Sequence, residues 1–254
     1  MKLFYRKFGK GQPLFILHGL FGQSDNWNTL AKQISEQGFE VYTIDQRNHG
    51  LSPHSTTWDY HSMSSDIEEL MQDLLLEKCI LLGHSMGGKT AMKFALEHDY
   101  LLDKLIIADM APRHYPPHHQ AVIQGLQAVD FKKIQNRKEA EIILSQYIDD
   151  LGTRQFLLKN IFWKDDGIMD WRFNLKVIKD QIENMGEAIQ TDSPCEVPTL
   201  FIRGEKSQYI QDSDLSPIKD IFPRSYVETI QNAGHWVHAE QPQAFFNAVM
   251  DFIK

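Results

Sequence analysis

Gly83-His84-Ser85-Met86-Gly87 places a hydroxyl nucleophile between two glycines in the pattern G-x-S-x-G. The apolar run Cys79 to Leu82 precedes it and the helix-periodic stretch Met86 to Glu97 follows it, so the serine falls at a strand-to-helix turn. So sharp a turn strains the serine backbone, and side chains at positions 83 and 87 would collide with the strand or the helix. Glycine removes the collision. The hydroxyl is pushed out above the sheet, while the helix behind it offers free N–H groups and the positive end of its dipole. Such a pattern arises by chance in about one chain in ten of this length, so the flanking elements and the partner residues must carry the reading.

Acyl transfer by a serine needs an oxyanion hole, a base and an acid. His18-Gly19-Leu20-Phe21-Gly22 follows the apolar run Leu14 to Leu17, and the amides of Leu20 and Met86 are the expected oxyanion donors. Asn232-Ala233-Gly234-His235-Trp236 follows the last apolar run, Tyr226 to Ile230, and puts His235 on a loop that reaches back towards Ser85. Among eleven histidines its near rival is His238. For the acid, the loop after Thr199 to Ile202 offers Ser207 and no well-placed carboxylate, since Glu205 comes too early and Asp212 and Asp214 too late. Asp109, at the end of Leu105 to Ala108, is therefore the expected acid, in the chain order Ser, Asp, His.

Residues so far apart in the chain meet only if strands bring them together. The six apolar runs Leu14–Leu17, Val41–Ile44, Cys79–Leu82, Leu105–Ala108, Thr199–Ile202 and Tyr226–Ile230 alternate with helical stretches at Trp27–Gln37, Ser64–Leu76, Met86–Glu97 and Pro242–Ile253. That alternation predicts an α/β fold with a doubly wound, mainly parallel sheet. Between Pro112 and Pro198 no run reads as a strand, and the spacing is helical at Ala121–Val129, Lys138–Ile148 and Trp171–Ile182. A helical lid inserted before the last two strands is expected there, residues 112–194, over a core domain of residues 1–111 and 195–254. Pro116, Pro117, His118 and His119 mark its start, and Pro194 and Pro198 its end. Tyr115, Phe156, Trp163, Trp171 and Phe173 from the lid, with Phe21 and Trp236 from the core loops, are candidates to contact substrate. For any one lid aromatic, packing inside the lid is the plainer expectation.

With 254 residues, 42% hydrophobic and 24% charged, the chain suits one packed domain carrying a sizeable insertion. A net charge of -8 argues against nucleic acid as a partner, because phosphate affinity comes from clustered Lys and Arg. No stretch approaches about 18 apolar residues, so no membrane span is expected, and the run Pro13 to Leu17 is shorter than a signal peptide's apolar region. Cys79 and Cys195 lie far apart with no metal spacing around them, which fits a cytoplasmic setting. His114, His118 and His119 lack the acidic partner or helical spacing of a metal site. Neither metal nor cofactor is expected; the partner is a small acyl ester or acyl-CoA, and the chain is a monomer or small homo-oligomer.

Together, HGLFG at 18–22, DQRNHGLSP at 45–53, GHSMGGKTAM at 83–92, LIIADMAP at 105–112 and AGHWVHAE at 233–240 resemble the α/β-hydrolase superfamily nearly end to end. Within it they resemble the bacterial YbfF-type esterases and their mitochondrial relatives. The resemblance implies an α/β-hydrolase fold, an acid on the strand after the nucleophile helix, where Asp109 stands, and hydrolysis of short to medium acyl esters. Acyl-CoA thioesters are a further implied substrate. Ser207 then stands where many hydrolases of this fold carry an aspartate. Asn48 stands where many members have glycine, in a loop with Asp45, Arg47 and His49; Asp45 and Arg47 are expected to hold that loop rather than touch substrate. Two other functions fit the same residues: C–C bond hydrolysis or cofactor-free perhydrolysis, and a ligand-binding module whose chemistry is vestigial.

Overall fold

The computed structural model describes residues 1–116 and 119–254. Its strands are β1 (Tyr5–Gly9), β2 (Gln12–Leu17), β3 (Phe39–Ile44), β4 (Cys79–His84), β5 (Leu102–Ala108), β6 (Ile161–Trp163), β7 (Met169–Trp171), β8 (Thr199–Gly204) and β9 (Ser225–Ile230). Its α-helices are α1 (Asn28–Ser35), α2 (Tyr60–Asp73), α3 (Met86–Glu97), α4 (Gln120–Ala128), α5 (Arg137–Leu144), α6 (Leu151–Leu158), α7 (Leu175–Gln181), α8 (Leu215–Ile221), α9 (Val237–Glu240) and α10 (Pro242–Ile253).

Strands buried on both faces must divide their apolar side chains between two cores. Phe15 and Leu17 of β2 join one cluster and Leu14 and Ile16 the other; Leu105 and Ile107 of β5 are opposed in the same way to Ile106 and Ala108. One cluster is closed by α1 and α10, the other by α2, α3, α8 and the segment between β5 and β8. The sheet runs β1-β3-β2-β4-β5-β8-β9, with every pair parallel except β1 against β3. Register decides where the site lies. Leu17 pairs with Gly83, His84 with Ala108, Ala108 with Ile202 and Gly204 with Ile230. The loops holding Leu20, Ser85, Asp109, Ser207 and His235 therefore leave the sheet side by side at one edge, where ligands of parallel sheets bind.

All six expected strands are present, and α4 to α7 stand before the last two strands. Short helices of seven or eight residues need their ends satisfied: Asn136, Asp150 and Asn174 cap α5, α6 and α7 with side-chain oxygens. Three strands depart from expectation. The edge strand β1, YRKFG, is half exposed and has no apolar run to announce it. Between Pro112 and Pro198, where no strand was expected, β6 and β7 form an antiparallel ribbon of three residues each, too short for a period of two to register. Among the described residues no helix is long and apolar enough to cross a membrane.

Candidate active site

Ser85 sits between β4 and α3 with φ 55° and ψ −118°, a region that residues with a Cβ avoid. The crowding that requires glycine beside it is measurable. A Cβ on Gly83 would lie 2.1 Å from the carbonyl oxygen of Gly87, and one on Gly87 2.4 Å from that of Leu17. The Ser85 amide donates to Ala108 O at 3.1 Å, tying the elbow to β5.

One residue past the end of β5, Asp109 is fully buried with φ 50°, and its amide donates to Ile202 O at 2.7 Å. Its carboxylate collects three donors. Oδ2 accepts from His235 Nδ1 at 2.7 Å and from the Ser207 hydroxyl, and Oδ1 accepts from the Gly204 amide at 3.1 Å. With Nδ1 donating, His235 keeps a lone pair on Nε2, the form a base requires. Tyr209 stacks on the imidazole with ring centroids 3.8 Å apart, and His84 Nε2 contacts the His235 carbonyl at 2.9 Å. Ser85 and His235 line one cavity. Their side chains are not hydrogen-bonded to each other, and such catalytic contacts commonly tighten when substrate binds.

Gly19 approaches the nucleophile so closely that a Cβ there would lie 3.2 Å from Ser85 Cβ. Leu20, Ser85 and Met86 border a common cavity. Met86 opens α3, whose first amides have no intrahelical acceptor; among the described residues neither it nor Leu20 donates to a backbone carbonyl outside helix and strand. Two apolar cavities flank the serine. One, of about 40 Å³, is lined by Tyr60, Met86, Met110, Tyr115, Ile182 and Met185. The other, of about 310 Å³, is lined by Phe21, Val122, Phe156, Leu157, His235 and Trp236.

A family profile described as the alpha/beta hydrolase fold matches residues 12–136. Over 247 residues the chain is 41% identical to the sn-1-specific diacylglycerol lipase ABHD11 of Mus musculus, covering 94% of this chain and 80% of that protein. The chain belongs to the α/β-hydrolase family. Esterase YbfF of Escherichia coli is 34% identical over 242 residues, 95% of this chain and 92% of that one. A solved structure described as a marine microorganism esterase matches with a TM-score of 0.96 and 45% identity over 99% of both chains.

For an α/β-hydrolase, the sequence candidates sort cleanly by position. Phe21, Tyr115, Phe156 and Trp236 line the two cavities. Trp163, Trp171 and Phe173, also expected to contact substrate, do not line them: Trp163 is 59% exposed, while Trp171 and Phe173 are buried and stack on each other at 5.3 Å inside the inserted segment. His238, the rival base, stacks on Trp27 at 4.0 Å, and burial pushes its imidazole down to about 3. Asp45 and Arg47 hold their loop: Asp45 accepts from the Ser24 and Leu51 amides, and Arg47 makes two bonds to Asp66 at 2.6 and 2.8 Å. Pro117 and His118 lie outside the described residues, among which no cluster of His, Cys, Asp and Glu could hold a metal.

Three residues at the site were not given these roles from the sequence. Ser207, set aside as an acid, is a hydrogen-bond donor to the acid. Tyr209 packs against the imidazole. Lys89, one turn after Ser85 and fully buried, donates from Nζ to the carbonyls of Arg113, Gly186 and Glu187, so α3 grips both ends of the inserted segment. Burial pushes its amine down to about 7. The G-x-S-x-G-G-K spacing could have pointed to Lys89; the other two needed the fold.

Proposed function

We propose that this α/β-hydrolase cleaves carboxylic esters through an acyl-enzyme on Ser85. The observation that carries the reading is the imidazole of His235, held by Asp109 at one wall of the cavity that Ser85 lines. His235 Nε2 takes the Ser85 proton as Oγ attacks the ester carbonyl, and the amides of Leu20 and Met86 receive the developing oxyanion. The protonated imidazole, stabilised by Asp109, returns the proton to the leaving alkoxide. Water then repeats the sequence and releases the acid. The esterase and lipase names of the relatives support this class of reaction.

Proton return to the leaving oxygen requires that group to lie beside His235, so the alcohol occupies the larger cavity and the acyl chain the smaller one. A space of about 40 Å³ holds roughly three water-sized groups, which favours acyl chains of about four carbons or fewer. The helices between β5 and β8 act as a lid that shapes both cavities.

Ser85→Ala should lower kcat for p-nitrophenyl butyrate by roughly a millionfold, the scale on which a triad acts as a unit. A fluorophosphonate should label Ser85 and nothing else. A loss under tenfold would rule out Ser85 as the nucleophile, while an unlabelled Ser85 in a chain without esterase activity would leave only a binding module. Across p-nitrophenyl esters and acyl-CoAs of two to ten carbons, kcat/KM should peak at or below four carbons; a steady climb to ten would reverse the assignment of the two cavities.

A further inference from the structure

The candidate oxyanion loop has a weak point at Phe21, immediately after the Leu20 amide. Phe21 adopts φ 60°, left-handed for a residue with a bulky side chain, a conformation that persists only when its surroundings impose it. Its peptide groups are held from two directions. From the core, the Phe21 amide donates to His49 Nε2 at 3.2 Å, and His49 Nδ1 is paired with Arg47 O at 3.0 Å, which leaves Nε2 as the acceptor. Burial pushes this imidazole down to about 3, so it stays neutral. From the inserted segment, Asn160 Nδ2 donates to Phe21 O at 2.9 Å.

Asn160 is built for that contact. It lies between α6 and β6 and is 1% exposed; its amide donates to Leu157 O at 3.0 Å and its carbonyl accepts from the Arg172 amide at 2.9 Å. Nδ2 also approaches Leu157 O at 3.3 Å, so two carbonyls fix which end of the side-chain amide faces the loop. Among the described residues Oδ1 is buried with no partner, an unfavourable arrangement that an apolar residue would avoid. The ring of Phe21 is pinned in parallel, edge-on to Phe173 at 5.0 Å.

We infer that Asn160 is a positioning residue of the oxyanion hole: by holding the Phe21 carbonyl it keeps the neighbouring Leu20 N–H aimed at the reacting carbonyl. The inference rests on the serine-hydrolase reading given above. The inserted segment thus builds part of the catalytic centre as well as covering it.

Three variants of the full chain test this beside Ser85→Ala. Asn160→Ala and Asn160→Leu remove the donor, the second keeping most of the volume. Asn174→Ala is the control; together with the cap of α7 it breaks a link from the insert to the core that makes no hydrogen bond to residues 18–22, Asn174 Nδ2 to Asn48 Oδ1 at 3.2 Å. Removing a whole donor costs about a hundredfold or more, so misaligning one should lower kcat on p-nitrophenyl butyrate about tenfold to a hundredfold with KM within twofold. Binding of a trifluoromethyl ketone, whose serine adduct carries an oxyanion, should weaken in proportion. Asn174→Ala should lower Tm by a similar amount and leave both readings unchanged. Equal kcat in Asn160→Ala and Asn174→Ala, or a change confined to KM, overturns the role of Asn160 while an inactive Ser85→Ala leaves the wider reading intact. An active Ser85→Ala overturns both.

Discussion

The loops at the sheet edge and the inserted segment both reach Ser85, and they are shaped by different physics. In the loops the main chain itself is crowded: Ser85, Asp109 and Phe21 all have positive φ, and neighbouring backbones leave no room for a Cβ at Gly83 or Gly87. In the insert, short helices are fixed one side chain at a time, through the Asn136, Asp150 and Asn174 caps and the Asn160 amide. Backbone crowding permits few residue types and so writes motifs into a sequence. A side-chain amide can be supplied from many positions and writes none.

A matched pair of glycine substitutions probes that difference with the largest effect. Gly87→Ala would force a Cβ to within 2.4 Å of Leu17 O and 2.6 Å of His18 O, both main-chain atoms with nowhere to go. The expected cost is about 3–5 kcal/mol, a fall in Tm of roughly 10 °C for a chain of this size. Gly167, in the turn joining β6 to β7, also has positive φ, 76°, but open space around it. Gly167→Ala should cost only about 1 kcal/mol. Equal losses in thermal melts of the two variants would erase the distinction.

The same contrast explains what could be read beforehand. Five of the six expected strands, β2, β3, β4, β5 and β8, were legible because burial on both faces demands apolar runs, and the elbow because only glycine fits at 83 and 87; β9 lies half exposed at the sheet edge. Asp109 was reached by elimination among carboxylates near strand ends, and it is the residue that pairs with His235. Ser207 was seen only as a missing acid, since its bond to Asp109 depends on β5 and β8 lying side by side. In the insert the general helical character was legible, but not the ribbon, nor which aromatics face the cavities. The ribbon has three residues a side, and of those aromatics only Phe156 lies on a helix, the eight-residue α6, so no period resolves which way they face.

Acidification should separate the two regions next. His18 and His49 are buried in the core loops, their rings 5.2 Å apart, and burial pushes them down to about 4 and about 3. Unfolded, both take up a proton near pH 6.5. Between pH 6.5 and 4 the unfolded chain therefore binds protons that the folded chain refuses, so stability is complete above that window and is lost as the pH falls through it. His18 alone accounts for on the order of 3 kcal/mol. Hydrogen exchange at pH 7.5 and 4.5 should show protection lost first in residues 18–22 and 45–49. Earlier loss in residues 120–181 would mean that the insert, and not the loop scaffold, is the acid-sensitive part.

The smallest effect falls on Ser207, where two core loops meet without a motif. Its hydroxyl and His235 Nδ1 share one oxygen of Asp109, so the serine fixes the carboxylate's orientation without contacting substrate. A hydrogen bond to a charged group contributes about 1.5–3 kcal/mol, and Gly204 N still holds the other oxygen. Ser207→Ala should therefore lower kcat only about tenfold and Tm by roughly 3–10 °C. Because Ser207 already touches the oxygen that holds the imidazole, an aspartate there is positioned to take over that task. Asp109→Asn alone should cost about ten-thousandfold by presenting the wrong partner to Nδ1. Adding Ser207→Asp to it should restore at least about tenfold, whereas Ser207→Asp in the wild-type background should not raise kcat, since it sets two carboxylates against each other. If the double variant is no faster than Asp109→Asn, the loop after β8 merely supports the acid, and the strand end of β5 is the one place from which this imidazole can be held.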